Sequence, residues 1–392
     1  MKTVCVVTAT RAEYGLLKNI IKLIEKDEEL KLVLVATGTH LSKDFGYTVT
    51  EIREDKLPIS AEIDILVEEE GGISASKTMA KAFYKFSDFF KNCKPDMLVV
   101  LGDRYELLPI CACAMNEQIP ISHISGGEIT EGVIDDTIRH CVTKMSYLHF
   151  VSCEAYRKRV IQLGEEPSRV FNFGDVGVEN ICNMKLMSKS ELEQEIGFCL
   201  DNPYGVVTFH PVTLEKASAL KQLEELLNAL KATEDMNFII TKSNADTEGK
   251  EINDRIDEFV EKNKNCKSYY SLGLLRYLSA VQYSEFVIGN SSSGIVEVPA
   301  FGIPTINIGD RQKGRLQANS ILNCEPEKEA IIRQIKMVRR EEFKNNIKID
   351  QNPYKGKDTS KLIVETIKRF LYIEGIELKK QFYDVEFKIK ND

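Results

Sequence analysis

The chain contains 392 residues, of which 43% are hydrophobic and 29% are charged, and its formal net charge at pH 7 is −8. This length favours two domains, and the composition is typical of a soluble globular protein. The negative charge argues against a nucleic-acid-binding surface, and no apolar run approaches the roughly 20 residues that span a bilayer. The N-terminus enters a predicted strand directly, so we expect no signal peptide and a cytoplasmic location.

Ten cysteines are distributed without a repeated spacing, and only five histidines accompany them as further soft ligands. Such a distribution is typical of reduced, mostly buried cysteines rather than of a zinc site. The turn after the first predicted strand lacks a G-x-G-x-x-G motif, which argues against a dinucleotide cofactor. We therefore expect neither a metal nor a cofactor.

Short apolar runs alternate with helical patterns along most of the chain, as in doubly wound α/β domains with parallel sheets. The strands predicted for the first half are residues 4–7, 32–35, 97–101, 119–124, 148–151 and 170–173, with an edge strand at 61–66. The strands predicted for the second half are residues 204–209, 238–241, 286–288 and 304–308, and a last helix is predicted at 359–371. The alternation is interrupted near residue 175. We therefore predict two Rossmann-like domains, residues 1–174 and 175–375, with a cleft between their strand ends and a tail over residues 376–392.

The first group of candidate site residues follows two predicted strands. The strand at 97–101 is followed by GDR, and the strand at 119–124 is followed by SGGE. Because ligands bind at the carboxyl ends of parallel strands, these turns predict a site. The titratable groups expected there are Asp103, Arg104, His123, Glu128, Glu131, Asp135, Asp136, Arg139 and His140. Helix capping would explain the two aspartates of the IDD sequence, and an ordinary turn would explain the glycines, but a surface turn needs only one or two such groups.

Two further polar residues follow the first and second predicted strands. Arg11 lies in the turn after residues 4–7, and His40 lies in the turn after residues 32–35. If these strands are neighbours, the two residues lie at the same edge of the sheet. A single histidine in such a turn fits a structural role and a functional role equally well.

The sequence GNSSSG at residues 289–294 predicts a phosphate site. Small residues between a strand and a helix expose backbone N–H groups and hydroxyls at the helix N-terminus, and this arrangement binds phosphate. Glu297, one turn later, would accept hydrogen bonds from a ribose diol, and Arg311 after the next strand would neutralise a pyrophosphate. The alternative is a serine-rich N-cap without a ligand.

Several motifs, taken in order, resemble those of one enzyme family. They are TATRAEYGLL, GTHLSKDFGYT, GDRYE, HISGGEITEGVIDDTIRH, FHPVT and GNSSSGIVEVPAFGIPTINIGDRQKGR. Together they are similar to the UDP-N-acetylglucosamine 2-epimerase family over residues 1–370, and most similar to its hydrolysing branch, which feeds sialic acid and legionaminic acid synthesis. The resemblance implies a fold of the glycosyltransferase B type, with UDP bound by the C-terminal domain and the sugar facing the N-terminal domain.

The resemblance also implies roles for individual residues. The residues expected to act in catalysis are Asp103, Glu128, Asp135, His40 and His210. The residues expected to bind the UDP-sugar are Arg11, Arg104, Asn244, Ser291, Ser292, Glu297 and Arg311. In the family's reaction UDP leaves C1, the C2 proton is removed, and water adds at C1 of the resulting 2-acetamidoglucal while C2 is reprotonated from the opposite face. The expected products are UDP and a free manno-configured N-acetyl sugar.

One position departs from the family pattern. Sialic-acid-pathway members read HIEGGE where this chain reads HISGGE, so Ser125 replaces a carboxylate and Glu128 becomes the candidate to take over its role. The sequence leaves the sugar open between UDP-N-acetylglucosamine and its 2,4-diacetamido-2,4,6-trideoxy analogue. It also leaves open a non-hydrolysing 2-epimerase, a glycosyltransferase of the same fold and a nucleotide-sugar sensor without turnover. We expect a homo-oligomer, with no nucleic-acid or membrane partner.

Overall fold

The computed structural model of the protein describes residues 1–67, 72–130, 134–210, 216–242 and 247–386, and the statements below concern these residues. They form two parallel sheets flanked by helices, which confirms the prediction of two Rossmann-like α/β domains. Among the described helices, none is long and apolar enough to cross a membrane.

Seven parallel strands form the first sheet: β1 (Lys2–Thr8), β2 (Leu30–Thr37), β3 (Ile59–Ile63), β4 (Met97–Leu101), β5 (Ile121–Ile124), β6 (Leu148–Val151) and β7 (Val170–Asn172). The helices of this part are α1 (Arg11–Lys26), α2 (Val49–Glu54), α3 (Gly72–Asn92), α4 (Leu107–Asn116), α5 (Ile134–Met145), α6 (Glu154–Gln162) and α7 (Val176–Asn183). The strand order is β3-β2-β1-β4-β5-β6-β7. The order therefore reverses between β1 and β4, and the carboxyl ends of these two strands form the crevice where open α/β sheets bind ligands.

Six parallel strands form the second sheet: β8 (Tyr204–Thr208), β9 (Asn237–Thr241), β10 (Cys266–Tyr269), β11 (Phe286–Gly289), β12 (Thr305–Ile308) and β13 (Ile321–Cys324). Its helices are α8 (Lys189–Ile196), α9 (Lys216–Lys231), α10 (Thr247–Lys262), α11 (Gly273–Gln282), α12 (Ser293–Val296), α13 (Lys328–Val338) and α14 (Glu341–Asn345). The strand order β10-β9-β8-β11-β12-β13 reverses between β8 and β11. The serine-rich turn follows β11, so it lies at the corresponding crevice of the second sheet.

Strand β4 illustrates why these apolar runs form central strands. All five of its residues, MLVVL, are buried. Met97, Val99 and Leu101 join the core on one face of the sheet, whereas Leu98 and Val100 join the core on the other. An unbroken apolar run is stable as a strand only where helices cover both faces.

The chain divides into two compact units, and the C-terminal segment does not follow the predicted division. The first unit contains the described residues up to Ile129, residues 134–180 and residues 356–386, and the second contains Thr130 and residues 181–355. The sequence analysis had placed residues 356–375 in the second domain, and this part of the prediction is wrong. Helix α15 (Thr359–Arg369) returns to the first unit, where Ile363 and Ile367 join the core beside α1.

Hydrogen bonds fix this return. The Glu179 carboxylate on α7 accepts hydrogen bonds from the backbone N–H and the hydroxyl of Ser360. The hydroxyl of Thr359 donates to the carbonyl of Phe173 at 2.6 Å. An amphipathic pattern predicts a helix but does not identify the surface on which the helix packs, so the sequence could not assign α15 to its unit.

The sequence analysis did not predict the strands β10 and β13 of the second unit, nor its helices α10 and α14. The two strands are the edges of their sheet, where a strand is exposed and its pattern is less apolar. Only Cys266 of the four β10 residues is buried.

Candidate active site

Polar residues gather at the carboxyl edge of the first sheet. The Asp103 carboxylate, just after β4, pairs with the guanidinium of Arg139 on α5. Arg139 is 4% exposed and also donates to Asp136 Oδ1 at 3.3 Å, and Asp136 Oδ2 lies 3.6 Å from His140 Nε2. Buried charges require partners, so this network fixes Asp103 relative to α5.

Asp135 lies next to this network. Partial desolvation and then the negative charge of Asp103 raise the pKa of Asp135 above its usual value, although the residue as a whole is exposed. The charges of Arg104 and Arg139 oppose this rise. A carboxyl group with a raised pKa beside a second carboxylate at one sheet edge is an arrangement that acid–base catalysis uses.

Two of the histidines predicted at this edge, His40 and His123, lie beneath it. His40 is fully buried, with Nε2 3.1 Å from the hydroxyl of Thr8 and Nδ1 2.8 Å from the hydroxyl of Thr48. His123 is also fully buried, and its Nε2 lies 2.8 Å from the carbonyl of Gly102. Burial lowers the pKa of His40 to about 4 and that of His123 to about 3, so both are neutral at pH 7.

His123 therefore supports the turn that carries Asp103, because it binds the carbonyl of the preceding residue. Both ring nitrogens of His40 are within hydrogen-bond distance of threonine hydroxyls, those of Thr8 and Thr48. The structure does not bring His40 together with the carboxylates, whereas it does bring Asp103, Asp135, Arg139 and Arg104 together.

The SGGE turn after β5 is shaped by close packing. Ser125 has a positive φ of 63° and Gly127 one of 77°. A Cβ on Gly127 would lie 2.6 Å from the carbonyl oxygen of Tyr156, so only glycine fits there. The turn ends at Glu128, whose Oε1 accepts a hydrogen bond of 3.2 Å from the hydroxyl of Ser152 after β6. Glu128 thus lies at the same edge as Asp103, one strand further along the sheet.

Arg11 occupies the first position of α1. Its Nε lies 2.8 Å from Glu51 Oε1 on α2, and its side chain is 58% exposed. Arg11 is therefore near the carboxyl end of β1, at the crevice where the strand order reverses.

The GNSSSG turn of the second unit is held by groups that the sequence analysis did not identify. Gly289 has a φ of 140°, and a Cβ there would lie 1.9 Å from the carbonyl oxygen of Thr208. Asn290 is 1% exposed, and its amide accepts from the backbone N–H of His210 at 2.8 Å and donates to the carbonyl of His210 at 2.9 Å. Asn290 therefore ties the turn after β11 to the turn after β8.

Arg311 approaches the same turn from β12. Its Nη1 donates to the carbonyl of Asn290 at 2.9 Å, and Gln312 Nε2 donates to the same oxygen at 2.9 Å. Burial and the charge of Arg315 lower the pKa of Arg311, which remains cationic at neutral pH. Within the described ranges, Nε and Nη2 of Arg311 make no hydrogen bond.

Glu297 lies behind the turn. Its carboxylate accepts a hydrogen bond from the hydroxyl of Ser293, to which the Tyr277 hydroxyl also donates at 3.0 Å. Burial raises the pKa of Glu297. Ser291 is half-buried and Ser292 is exposed, so both hydroxyls reach the surface of the turn. The predicted residues Asn244 and Glu131 lie outside the described residues, and of His210 the structure gives the backbone contacts with Asn290.

Within the described parts of the chain, one group of side chains could hold a metal ion: Glu193, Cys199 and Asp201, whose ligand atoms lie within 4.8 Å of one another. Cys199 and Asp201 are exposed and joined by a hydrogen bond of 3.3 Å. The group lies in the second unit, on α8 and the loop that follows it, and is not part of the serine-rich turn.

Comparison with known proteins agrees with this fold. The family described as UDP-N-acetylglucosamine 2-epimerase matches residues 22–368. GDP/UDP-N,N'-diacetylbacillosamine 2-epimerase (hydrolyzing) of Campylobacter jejuni is 45% identical over 325 residues, which are 83% of this chain and 84% of that protein. Polysialic acid biosynthesis protein P7 of Escherichia coli is 40% identical over 388 residues, 98% of each chain. The solved structure of UDP-GlcNAc 2-epimerase from Neisseria meningitidis bound to UDP-GlcNAc matches with a TM-score of 0.73 and 19% identity, over 94% of this chain and 100% of that chain.

Two doubly wound parallel sheets, each with polar groups at its reversal point, define the glycosyltransferase B class of fold. Within that class, the chain belongs to the UDP-N-acetylglucosamine 2-epimerase family. The family predicted from the sequence motifs is thereby confirmed, and relatives named as hydrolysing enzymes agree with the predicted branch.

Proposed function

We propose that the chain is a hydrolysing UDP-sugar 2-epimerase, which converts a UDP-linked 2-acetamido sugar and water to UDP and the free 2-epimer. The observation that carries the proposal is the carboxylate pair of the first unit, Asp103 held by Arg139 and Asp135 with its raised pKa. Inversion at C2 needs a base on one face of the sugar and an acid on the other, and two neighbouring carboxyl groups can supply both.

In this proposal the serine-rich turn of the second unit binds the nucleotide. Ser291 and Ser292 donate to the diphosphate, and Glu297 accepts from the ribose. Arg311 supports this role. Its Nη1 donates to the carbonyl of Asn290 and so holds the turn, and its other guanidinium nitrogens can donate to phosphate oxygens. Asn244 and His210 are proposed as further contacts to the nucleotide and sugar.

The proposed reaction begins when UDP leaves C1 and takes the bonding electrons with it. The positive charge that develops at C1 acidifies the C2 hydrogen and is stabilised by nearby carboxylates. One carboxylate removes the C2 proton, which gives a 2-acetamidoglucal. Water then adds at C1, and an acid on the opposite face reprotonates C2. Arg104 and Arg11 are proposed to stabilise the departing diphosphate, and Glu128 is proposed as the carboxylate that replaces the one absent at Ser125.

We further propose that the preferred sugar carries acetamido groups at C2 and C4. The relative with 45% identity is named for a diacetylbacillosamine substrate, and the replacement of a glutamate by the smaller Ser125 leaves room for a bulkier C4 substituent. That relative's name includes GDP as well as UDP, so the test compares both nucleotides. A higher kcat/KM for UDP-N-acetylglucosamine than for the diacetamido sugar would contradict this assignment.

The test of the reaction is product NMR in D2O. We expect release of UDP and of a free manno-configured sugar with deuterium at C2. A product still linked to UDP would indicate a non-hydrolysing epimerase, transfer of the sugar to an acceptor would indicate a glycosyltransferase, and binding without turnover would indicate a sensor. Each of these results would contradict the proposal. The homo-oligomer expected from the sequence stays a prediction, which light scattering tests against the 44.4 kDa mass of one chain.

A further inference from the structure

Arg104 has an unusual set of contacts for an arginine at a sheet edge. Its Nε lies 3.3 Å from Glu106 Oε1, and its guanidinium lies over the ring of Tyr105, 5.3 Å from the ring centre. Within the part of the chain that the structure describes, its two terminal nitrogens make no hydrogen bond. The side chain is 38% exposed, so these donors are accessible to a ligand.

Two buried glutamates lie behind Arg104. Glu106 is 1% exposed and Glu13 is 7% exposed. Glu13 Oε2 accepts from the backbone N–H of Ala9 at 2.7 Å and from that of Thr10 at 3.1 Å. One oxygen of each glutamate, Glu13 Oε1 and Glu106 Oε2, is buried without a hydrogen-bond partner among the described residues.

Arg104 is the cation that acts on both glutamates. Burial and the charge of Glu106 raise the pKa of Glu13 to about 8, against the opposing effects of its backbone hydrogen bonds and of Arg104. Nearby carboxyl groups, first Glu106 and then Glu13, offset the effect of burial on Arg104 and raise its pKa. A buried carboxylate without a cation is costly, so Glu106 and Arg104 stabilise one another.

The same arginine acts on the proposed catalytic residue Asp135, because its charge opposes the rise in the pKa of that carboxyl group. Arg104 therefore lies between the two buried glutamates, Glu13 and Glu106, and the aspartates proposed to act in catalysis. Glu13 follows β1 and Glu106 follows β4, so the buried pair spans the point where the strand order reverses. This is where an open α/β sheet binds its ligand.

We propose that Glu106 is a positioning residue for Arg104: it holds the guanidinium at the reversal point with its terminal nitrogens available for the oxygens of the anionic substrate. The inference deepens the proposed function and rests on it. Glu106 acts by a direct hydrogen bond to Nε. An arginine held in this way loses less side-chain freedom when substrate binds, so binding is stronger.

The test is a double-mutant cycle read on UDP release. Glu106→Gln keeps the shape and an acceptor oxygen but removes the charge, and we expect kcat/KM to fall roughly 10- to 100-fold, the range for a hydrogen bond to a charged group. Arg104→Ala should lower kcat/KM at least as much. If Glu106 acts through Arg104, the double variant should be no worse than Arg104→Ala within about twofold, because the positioning residue then has nothing to position.

Two further measurements separate positioning from structure. Glu117→Gln removes a glutamate at the other end of α4 that pairs with Lys94, and this control should keep the kcat/KM of the wild type. Added guanidinium ions should restore part of the activity of Arg104→Ala, and should restore less in the Arg104→Ala/Glu106→Gln variant, which lacks the carboxylate that holds the ion.

The outcomes distinguish the inference from the function on which it rests. Additive losses in the cycle, or equal rescue of both variants by guanidinium, would overturn the positioning role while the wild-type chain still releases UDP. A wild-type chain that releases no UDP from either sugar would instead contradict the proposed function.

Discussion

At the scale of single residues, the environment assigns different properties to chemically identical groups. Asp103 faces the guanidinium of the buried Arg139, whereas Asp135 faces Asp103 and has a raised pKa. His40 and His123 are neutral because burial disfavours their charged forms. Burial and neighbouring charges thus set the proton affinity of Asp135, as they must for a carboxyl group that serves in acid–base catalysis.

Substitutions of Asp103 and Glu297 should distinguish the catalytic step from the binding of UDP. Asp103→Asn should lower kcat by a factor of about 10² or more, the usual scale for losing an acid or base, and should leave UDP affinity within a few-fold. Glu297→Ala should mainly weaken UDP binding, since Glu297 lies beside the serine-rich turn of the second unit. Calorimetry with UDP alone, together with kinetics of both variants, checks this. An equal loss of UDP affinity in both would contradict the assignment.

The SGGE turn gives a second test at the residue scale. We expect Glu128→Gln to abolish turnover, because no carboxylate is present at Ser125 to replace it. Ser125→Ala should reduce kcat/KM less than tenfold, about 1.4 kcal/mol of barrier, since a hydroxyl does not act as a base at neutral pH. Kinetics of both variants with the two candidate sugars measure this difference. Equal damage by the two substitutions would show that Glu128 has not taken over the role.

At the scale of elements, strand ends position the site because the backbone there adopts conformations that few residues allow. The turn after β5 combines a positive φ at Ser125 with Gly127 packed against α6, and Gly289 ends β11 in contact with β8. Each turn is thereby fixed by its neighbours in the sheet. Such local strain persists only where surrounding packing over-determines the conformation.

Gly127 and Gly102 form a matched pair that tests this packing. Their φ values are 77° and 83°, but a Cβ would lie 2.6 Å from Tyr156 O at Gly127 and would meet nothing within 4 Å at Gly102. Both alanine substitutions carry the cost of a positive φ, and Gly127→Ala adds overpacking. We expect Gly127→Ala to lose about 1–3 kcal/mol more stability than Gly102→Ala. Urea unfolding followed by circular dichroism measures both, and equal losses would indicate that α6 moves aside.

At the scale of the whole molecule, the C-terminal segment completes the first unit. Lys380 Nζ reaches Glu165 Oε2 at 2.7 Å, and it donates to the carbonyl of Ser146 at 2.6 Å. Glu165 also accepts from Lys144 at 2.7 Å and lies 3.1 Å from His149 Nε2 on β6. Burial by itself raises the pKa of Glu165, but the hydrogen bonds and charges of His149, Lys144 and Lys380 outweigh it and lower the pKa to about 2.

This buried cluster predicts a pH-dependent stability. A carboxyl group whose pKa is depressed in the folded state contributes stability that is present above its unfolded pKa, about 4.5, and is lost as the pH falls toward 2. Glu165→Gln should therefore reduce the free energy of unfolding at pH 7 by on the order of 3 kcal/mol, and the difference should shrink below pH 4.5. Glu166→Gln is the control, because Glu166 is the neighbouring glutamate and makes no ion pair with the described residues. Urea unfolding at pH 7, 5 and 3 checks the prediction, and a difference that does not depend on pH would contradict it.

The sequence by itself determined which residues end the strands. Apolar runs such as MLVVL stop where polar residues begin, and this boundary is local, so Asp103, Glu128 and the serine-rich turn could be predicted at strand ends. The motifs in their order also sufficed to predict the family. The fold class followed because alternating strands and helices have few ways to bury their apolar faces.

The tertiary structure alone decided which of these ends are neighbours and which side chains are buried. The order of β1 beside β4 brings Glu13 to Arg104 and Glu106, although about ninety residues separate them. His40 and His123 match the pattern of edge residues, but segments distant in the chain cover both. Helix α15 is amphipathic in sequence, but the place where it packs is determined by the apolar surface that the rest of the first unit offers. Burial and proximity depend on contacts between distant segments, and a local pattern does not specify those contacts.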